Sequence, residues 1–322
     1  MPDKKDIKEY LHPRSLHRGP YDYELLTKHY PALKPFIIKN KKNLSSINYA
    51  DSEAVTALNT ALLFTHYDLS YWEIPDNFLC PAVPGRAEYL HHMADILSQF
   101  ADRIPRGPKL KVLDLGVGAN CIYPIIGRKV YKWSFIGTDI NLQSLKAAQK
   151  IINKNSLLKG HVELRHQKEP QKLISNLIKP DEYLDLVICN PPFFSSAKEA
   201  RQASLKKSYA LTNSKMRSAQ KARNFGGQHS ELWCNGGELD FVRRLIQDSQ
   251  LLASRCLVFS SLISNSKHLP KLKAELANAS TLYQEIIPLR LGNKKSHLIV
   301  WSYLKPKQMK IWAAARWVKP SR

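Results

Sequence analysis

The stretch Asp185-Leu-Val-Ile-Cys-Asn190-Pro-Pro-Phe193-Phe194 joins a short apolar run directly to a stiff polar and aromatic turn. The run 184–189 is too short for a typical helix and is β-branched at its centre, so it predicts a fully buried strand. The two prolines end that strand, because neither has an N–H and each keeps the residue before it out of the helical region. Taken alone, Asn-Pro is also a common turn marker, so the surrounding chain must decide whether this tip has a chemical role.

Short β-rich runs alternate with amphipathic helical patterns around this stretch, which predicts a doubly wound α/β sheet. The predicted strands span residues 111–115, 133–139, 162–166, 184–189, 256–262, 283–291 and 297–304. Gly292-Asn293 leaves no room for a crossover helix, so the last two strands are predicted to pair as an antiparallel hairpin. Such a seven-stranded mixed sheet resembles the Rossmann-like class I methyltransferases that use S-adenosylmethionine.

Length and composition allow one large domain and a smaller one, since the chain has 322 residues of which 43% are hydrophobic. We predict a small, mostly helical N-terminal domain over residues 1–80, whose last helix starts at Asp51 or Ser52, and a Rossmann-like domain over 81–322. A proline-punctuated linker over 72–84 separates them, and a helix is predicted at 86–100. The net charge of +22 favours a polyanionic partner, nucleic acid before membrane.

The cysteines indicate neither a zinc site nor a disulfide framework, because they are odd in number, scattered and never in Cys-x-x-Cys spacing. They are Cys80, Cys121, Cys189, Cys234 and Cys256. The N-terminus lacks the apolar core of a signal peptide, and the sequence has no apolar run of the roughly 18 residues that a membrane span needs. We therefore expect a cytoplasmic protein with neither a metal nor a membrane partner.

The first 45 residues interleave cations with aromatic rings, among them His12, Arg14, His17 and Tyr23. Phosphates attract cations and unpaired bases stack on flat side chains, so this composition is typical of an RNA-binding segment. A solubilising arm has the same composition, and the sequence does not separate the two readings.

A cofactor site is predicted where the first strand of the sheet ends, in Asp114-Leu-Gly116-Val-Gly118. Glycines there let the backbone pass close to a ligand. Cys121 stands where a dinucleotide fingerprint would have its third glycine, which argues against a pyrophosphate cofactor. Asp139 ends the next strand and could accept both ribose hydroxyls, or it could cap the helix starting near Leu142. Farther on, Gln167 or Glu169 could reach the adenine, or both could belong to a surface loop.

The Asn190 tip can activate an exocyclic amine, which is a poor nucleophile because its lone pair is delocalised into the base. The Asn190 side-chain oxygen and the Pro191 carbonyl could accept the two N–H bonds and align that lone pair with a methyl donor. Phe193 could stack on an extruded base. Such chemistry needs no side-chain general base, because water can take the proton after transfer.

A one-sidedly basic stretch, 195–237, follows the tip and is predicted to bind the phosphates of a substrate nucleic acid. The residues expected to contact RNA are Lys198, Arg201, Lys206, Lys207, Arg217 and Arg223. A glycine-rich segment, which ends in Gly236-Gly237-Glu238, is predicted to return to the site. Basic residues continue after Lys294, where the tryptophans at 301, 312 and 317 are read as packing residues rather than base-stacking ones.

Three segments resemble one family, and the likeness runs almost end to end. They are Leu115-Gly-Val-Gly-Ala-Asn-Cys-Ile-Tyr-Pro124, Cys189-Asn-Pro-Pro-Phe-Phe194 and Glu231-Leu-Trp-Cys-Asn-Gly-Gly-Glu-Leu239. The family is the bacterial 23S rRNA adenine-N6 methyltransferase F family, which includes the eukaryotic U6 small nuclear RNA adenosine methyltransferase. The resemblance implies N6 methylation of one adenosine in 23S rRNA, with S-adenosylmethionine as the donor. We expect the enzyme to be a monomer and its partner to be 23S rRNA or a large-subunit assembly intermediate. The eukaryotic members have Glu in place of Asp139 and an additional C-terminal region, which favours the bacterial substrate.

The resemblance also implies the site residues. Asn190, Pro191, Pro192 and Phe193 would be catalytic. Arg86 would contact the carboxylate of S-adenosylmethionine, or it could be a surface residue. The full set expected around the cofactor is Arg86, Asp114, Gly116, Gly118, Asp139, Gln167 and Asn190.

Three alternatives stay open at the level of sequence. Asn-Pro-Pro with an aromatic residue also serves N6-adenine methylation of DNA and N5-glutamine methylation of proteins, although the basic flanks argue against the latter. A ribosome-assembly RNA-binding protein that no longer uses its transferase site is the third, and the intact Asp139, Asn190 and Phe193 oppose it.

Overall fold

The strand that leads into the Asn190 tip lies at the centre of a seven-stranded sheet in a computed structural model of the protein. The structure describes residues 8–76, 78–196, 198–199, 232–292 and 294–317. Its strands are β1 (Ile37–Lys39), β2 (Ser45–Ile47), β3 (Lys111–Leu115), β4 (Ser134–Asp139), β5 (Val162–His166), β6 (Leu184–Cys189), β7 (Cys256–Ile263), β8 (Tyr283–Leu291) and β9 (Lys294–Ser302). Its α-helices are α1 (Tyr23–His29), α2 (Ser52–His66), α3 (Val83–Ser98), α4 (Ile122–Tyr131), α5 (Leu142–Lys154), α6 (Gly237–Ser249), α7 (Leu269–Asn278) and α8 (Pro306–Trp317).

The sheet has the order β5-β4-β3-β6-β7-β9-β8, in which the first five strands are parallel and β9 and β8 are antiparallel to their neighbours. The predicted mixed sheet with a terminal antiparallel hairpin is confirmed. The last strand starts at Lys294 and not at residue 297 as predicted, because the basic residues 294–296 pair through their backbone without an apolar pattern that could indicate a strand. Strand β3 pairs with β4 on one side and with β6 on the other, so the order of the strands reverses direction between β3 and β6. In such sheets this switch point forms the ligand crevice.

Helices cover both faces of the sheet and bury its centre. Residues of α3, α4 and α5 form the core on one face, and residues of α6 and α7 form the core on the other. All six residues of β6 are buried, as expected for a central parallel strand. No helix in the described part of the chain is long and apolar enough to span a bilayer.

A buried carboxylate at the start of β6 fastens the C-terminal helix to the sheet. Asp185 accepts hydrogen bonds from the Trp312 and Trp317 indoles, at 2.8 and 3.0 Å, and from Arg316 Nε at 2.8 Å. It also accepts from the Lys111 backbone N–H at 2.8 Å, so it joins β6 to β3 as well as to α8. Trp301 is fully buried. The reading of these tryptophans as packing residues is confirmed.

The N-terminal segment packs on α3 instead of standing free as an arm. His12 and His17 are buried, and the His12 backbone N–H donates to Glu88 at 2.6 Å. Arg14 binds Asp95 at 2.6 Å. The interpretation of these three residues as free RNA-binding or solubilising groups is therefore wrong. Sequence reasoning misread them because the partners of His12 and Arg14 lie 76 to 83 residues away, and that of His17, the Tyr67 hydroxyl, lies 50 residues away.

Residues 21–62 form a separate small core between α1, α2 and the two-stranded β1–β2 hairpin. The described residues of the predicted linker over 72–84 include buried side chains: Trp72 and Phe78 are buried, and the Trp72 indole donates to the Asn120 carbonyl, in the turn after β3, at 2.9 Å. Helix α3 begins at Val83, three residues before its predicted start, because Pro84 occupies its first turn, where proline is tolerated.

Candidate active site

The three predicted site segments meet at one edge of the sheet. In the parallel register Leu115 pairs with Thr138 on one side and with Cys189 on the other. The glycine turn after β3, Asp139 at the end of β4 and Asn190 after β6 are therefore neighbours, which is the grouping that the sequence predicts.

Asp139 ties the end of β4 to the glycine turn. Its Oδ2 accepts from the Gly118 N–H at 3.1 Å and its Oδ1 from the Asn141 N–H at 2.8 Å. Gly116 and Gly118 have φ of +81° and +63°, which L side chains rarely adopt. Burial raises the pKa of Asp139, although the backbone N–H groups oppose that rise. The side chain that caps α5 is Asn141, so the alternative reading of Asp139 as that helix's cap is wrong.

Asp114 is a buried carboxyl whose two oxygens have no hydrogen-bond partner among the described residues. Burial raises its pKa to about 8; Arg86 opposes this shift and Asp139 adds to it. A buried carboxylate is costly unless a cation or a donor compensates it. The residues present thus fit a cofactor that brings a positive group to the glycine turn, as the ammonium of S-adenosylmethionine would.

The side chain of Gln167 is buried in its own loop, where it donates to Asn176 Oδ1 at 2.8 Å and accepts from the Glu169 N–H at 2.9 Å. Its backbone N–H donates to the Asp139 carbonyl at 2.9 Å, so it borders the cofactor end. The prediction that it reaches the adenine stays a prediction. Ile140 and Leu142 are 46% and 53% exposed beside Asp139 and form an apolar lip that sequence reasoning missed.

The backbone of the tip is held by the segment 232–237. The Phe193 and Phe194 N–H groups both donate to the Leu232 carbonyl at 3.1 Å, and the Cys234 N–H donates to the Phe194 carbonyl at 3.1 Å. The predicted return of this glycine-rich segment to the site is confirmed for the residues that the structure describes. Gly237 has φ of +64°, and a Cβ there would lie 3.3–3.4 Å from the backbone of Phe194 and Ser195. A side chain at this position would therefore strain the tip.

Glu238 anchors that segment from behind, a role that sequence reasoning missed. This fully buried carboxylate accepts from the Ser264 N–H at 2.6 Å, the Asn265 N–H at 3.2 Å and His268 Nδ1 at 2.8 Å. It thereby joins the first turn of α6 to the loop after β7. The only signal in the sequence is an acid directly after a glycine pair.

Helix α3 supports the tip from the other side with two residues one turn apart. Arg86 Nη1 donates to Asn190 Oδ1 at 3.2 Å. The Tyr89 hydroxyl accepts from the Cys189 N–H at 3.2 Å and lies 3.0 Å from Ser260 Oγ, which itself donates to the Val187 carbonyl. The structure brings Arg86 into the site, and it adds Tyr89, which sequence reasoning missed because nothing in its neighbourhood along the chain marks it as a site residue.

Basic residues also border the tip. The Lys294 ammonium lies over the Phe193 ring, 5.3 Å from its centroid, and brings the β8–β9 hairpin to the site. Of the six residues predicted to contact RNA, Lys198 is exposed just after the tip. The other five, Arg201, Lys206, Lys207, Arg217 and Arg223, lie outside the described residues.

A polar cluster lies at the far end of α3. Among the described residues, His12, His92 and Asp95 bring ligand atoms within 4.8 Å of one another, close enough to hold a metal ion. Hydrogen bonds already use two of the three side chains. The Arg14 N–H donates to His12 Nδ1 at 3.1 Å, which leaves Nε2 as the donor to Asp95 at 2.7 Å. Asp95 is also paired with the Arg14 guanidinium, so this cluster fastens the N-terminal segment without needing an ion.

Comparison with known proteins agrees with the geometry. The family described as RNA methyltransferase matches residues 5–305. A protein of Yersinia enterocolitica named "Ribosomal RNA large subunit methyltransferase F" is 43% identical over 311 residues, which are 96% of this chain and 92% of the relative. A protein of Cytophaga hutchinsonii with the same name is 44% identical over 312 residues, 96% of each chain.

Solved structures show the same fold. The hMettl16 catalytic domain in complex with MAT2A 3'UTR hairpin 1 is 29% identical, with a TM-score of 0.76 over 91% of this chain and 96% of that one. The N-terminal domain of human METTL16 in complex with SAH is 26% identical, with a TM-score of 0.70 over 92% and 99% of the two chains. On this sequence match and this fold, the chain belongs to the RNA methyltransferase family and is an enzyme that uses S-adenosylmethionine.

Proposed function

We propose that this enzyme methylates N6 of one adenosine in 23S rRNA of the large ribosomal subunit. The observation that carries this proposal is the meeting of the Asn190-Pro-Pro-Phe193 tip with the glycine turn and Asp139 at one sheet edge. An amine-activating group and a cofactor-binding turn are thus adjacent. Relatives above 40% identity that are named for large-subunit rRNA support the choice of substrate.

The tip makes the target amine more nucleophilic. In this proposal Asn190 Oδ1 and the Pro191 carbonyl accept the two N–H bonds of the adenine amine, so that its lone pair points at the methyl donor. The hydrogen bond from Arg86 uses one of the two lone pairs of Asn190 Oδ1 and leaves the other for the base. Arg86 thereby fixes the rotamer of Asn190 while its side-chain oxygen can still accept from the target amine.

Phe193 stacks on the extruded adenine. Its backbone is fixed by the Leu232 carbonyl, and the Lys294 ammonium covers one face of its ring. We place the base on the other face. Pro191 and Pro192 keep this arrangement stiff, because each fixes its own φ.

The cofactor supplies a methyl group on a sulfonium. We propose that Gly116 and Gly118 let it approach the backbone, Asp139 accepts its ribose hydroxyls, Asp114 faces its ammonium and Arg86 its carboxylate. The loop that Gln167 holds in place by its hydrogen bonds would lie against the adenine. Asn190 would lie beside the methyl group that is transferred.

The RNA would lie across residues 1–80 and the basic stretch 195–237, with Lys198, Arg201, Lys206, Lys207, Arg217 and Arg223 on its phosphates. We propose that the enzyme acts as a cytoplasmic monomer on 23S rRNA or on an assembly intermediate. Membership of an RNA methyltransferase family disfavours the alternatives of a DNA substrate, a protein glutamine or a non-catalytic RNA-binding protein.

Mass spectrometry of rRNA nucleosides from cells that lack this protein tests the proposal. We expect the loss of one N6-methyladenosine from 23S rRNA, restored by the wild-type gene and not by Asn190→Ala. An unchanged profile would overturn the rRNA substrate. If the modification is lost as expected, assays of the purified enzyme on free 23S rRNA and on large-subunit particles would identify which form it methylates.

A further inference from the structure

Tyr123, in the first turn of α4, places a buried hydroxyl beside the cofactor end of the site. The residue is 4% exposed, and its ring packs edge-to-face on Tyr89 with 5.5 Å between centroids. The Arg86 guanidinium carbon lies 5.7 Å from the centre of the same ring. Despite this company, the Tyr123 hydroxyl has no hydrogen bond of normal geometry among the described residues.

A hydroxyl in that state is unusual, because burying it without a partner costs about 1–3 kcal/mol. Burial raises the pKa of Tyr123, and Arg86 opposes the rise, so the phenol stays protonated and can act as a donor at neutral pH. A second tyrosine of α4 shows the ordinary arrangement. The Tyr131 hydroxyl lies 2.6 Å from His91 Nδ1 and accepts from Arg14 Nε at 3.2 Å.

The groups around Tyr123 are complementary to one another. Asp114 also acts electrostatically on the phenol. The carboxyl and the hydroxyl, neither of which has a hydrogen bond of normal geometry among the described residues, therefore belong to one neighbourhood, with Arg86 beside both. A cation and a neutral donor suit a carboxylate, and a carboxylate suits an ammonium. Together the three side chains match an α-amino acid zwitterion.

We propose that Tyr123 is a binding residue for the amino-acid end of the methyl donor, donating its hydroxyl hydrogen to the donor's carboxylate beside Arg86 while Asp114 faces the ammonium. The proposal rests on the proposed function, since it deepens the recognition of that cofactor. It predicts that part of the affinity for the cofactor depends on a hydroxyl that contributes nothing to the stability of the unliganded fold.

The test compares two ligands in two variants, by calorimetry without RNA. S-Adenosylhomocysteine carries the amino-acid end, and 5′-methylthioadenosine lacks it. For Tyr123→Phe we expect affinity for S-adenosylhomocysteine to fall about 10-fold or more, as for the loss of a hydrogen bond to a charged group, and affinity for methylthioadenosine to change less than about twofold. Tyr131→Phe, which removes a bonded hydroxyl from the same helix, should leave both affinities unchanged.

Thermal unfolding of the free protein should distinguish the same two variants in the opposite sense. Tyr123→Phe should keep or raise the Tm of the free protein, because it removes an unsatisfied buried group, whereas Tyr131→Phe should lower it. Equal weakening of both ligands in Tyr123→Phe, unchanged affinity for S-adenosylhomocysteine, or a lowered Tm of the free variant would overturn the proposal. None of these readouts involves RNA, so a wrong rRNA substrate would leave them intact and would show only in the nucleoside profile.

Discussion

A single atom, Asn190 Oδ1, joins the acceptor end of the site to the cofactor end. It accepts from Arg86 on α3, and in the proposed reaction it also accepts from the target amine. Two donors on one amide oxygen define its position better than one. The side chain is therefore needed for transfer, and its loss should leave the cofactor pocket standing.

Asn190→Ala should lower kcat about 10²–10³-fold, the range seen when one group that stabilises a transition state is removed. Affinity for S-adenosylhomocysteine should stay within a few-fold of the wild type in calorimetry. Asn153→Ala, on the exposed side of α5, is the matched control and should leave both quantities unchanged. Equal losses of turnover and of cofactor affinity in Asn190→Ala would show that its role is misassigned.

Asp114 makes cofactor binding depend on protons. Its pKa of about 8 means that the carboxyl is mostly protonated at pH 7, and a cationic ligand group beside it should lower that pKa and release the proton. Binding of S-adenosylmethionine at pH 7 should therefore release close to one proton, and affinity should rise from pH 6 to pH 7.5. Calorimetry in buffers of different ionisation enthalpy measures the proton count.

Asp114→Asn cannot release that proton, so its binding enthalpy should be independent of the buffer. Proton release that persists in this variant would assign the titration to another group, with Asp139 the next candidate because its pKa is also raised by burial.

At the scale of elements, the tip is a surface turn held from two sides. Segment 232–237 binds its backbone, and Glu238 binds that segment to the loop after β7. Three backbone hydrogen bonds and one buried carboxylate thus restrain Phe193 more than an ordinary surface loop would. Precision at the tip is a property of α6 and β7 as much as of β6.

Glu238→Gln should lower kcat roughly 10-fold to 100-fold, because a small displacement of positioning groups is enough for such losses. Affinity for S-adenosylhomocysteine should change little. Glu275→Gln provides the control, since Glu275 also joins α6 to α7, through its ion pair with Arg243, but does so away from the tip segment. A Glu238→Gln enzyme with wild-type kcat would remove Glu238 from the list of positioning residues.

Local patterns predicted the elements well and their supports poorly. The strands at 111–115, 162–166, 184–189 and 283–291 have the predicted bounds, because apolar β-branched runs between turn residues are a local property. Glu238, Tyr89 and Tyr123 act through residues far away in sequence or through a missing partner. Neither kind of information is present in a window of neighbouring residues.

At the scale of the whole molecule, some basic side chains are paired with carboxylates and others are exposed to solvent. Of the N-terminal cations, Arg14 forms an ion pair with Asp95, whereas Lys41 and Lys42 are exposed at the turn of the β1–β2 hairpin. Composition alone could not tell these groups apart, which is why the sequence overestimated the free surface of residues 8–20. Among the described residues of 1–80, the proposed RNA-binding role therefore depends more on the β1–β2 hairpin than on residues 8–20.

Lys41→Ala/Lys42→Ala should weaken RNA binding uniformly and reduce the slope of log affinity against log salt by about 1–2, as expected for lost phosphate contacts. Cofactor affinity should not change. Lys271→Ala/Lys273→Ala removes the same charge from exposed positions of α7 and is the control. Equal slopes for the two double variants would leave residues 1–80 without a specific part in RNA binding.

The carboxylate of Asp185 has a consequence for how the molecule is made. Arg316, its ionic partner, is synthesised 131 residues later. Until α8 docks, Asp185 has the hydrogen bond from the Lys111 N–H but lacks the donors of the C-terminal helix, so burying its carboxylate at the base of β6 costs free energy. We therefore expect the central sheet to become stable only once α8 is in place. A product cut short before Trp312 would keep every residue of the transfer site and still lack a finished sheet to hold them.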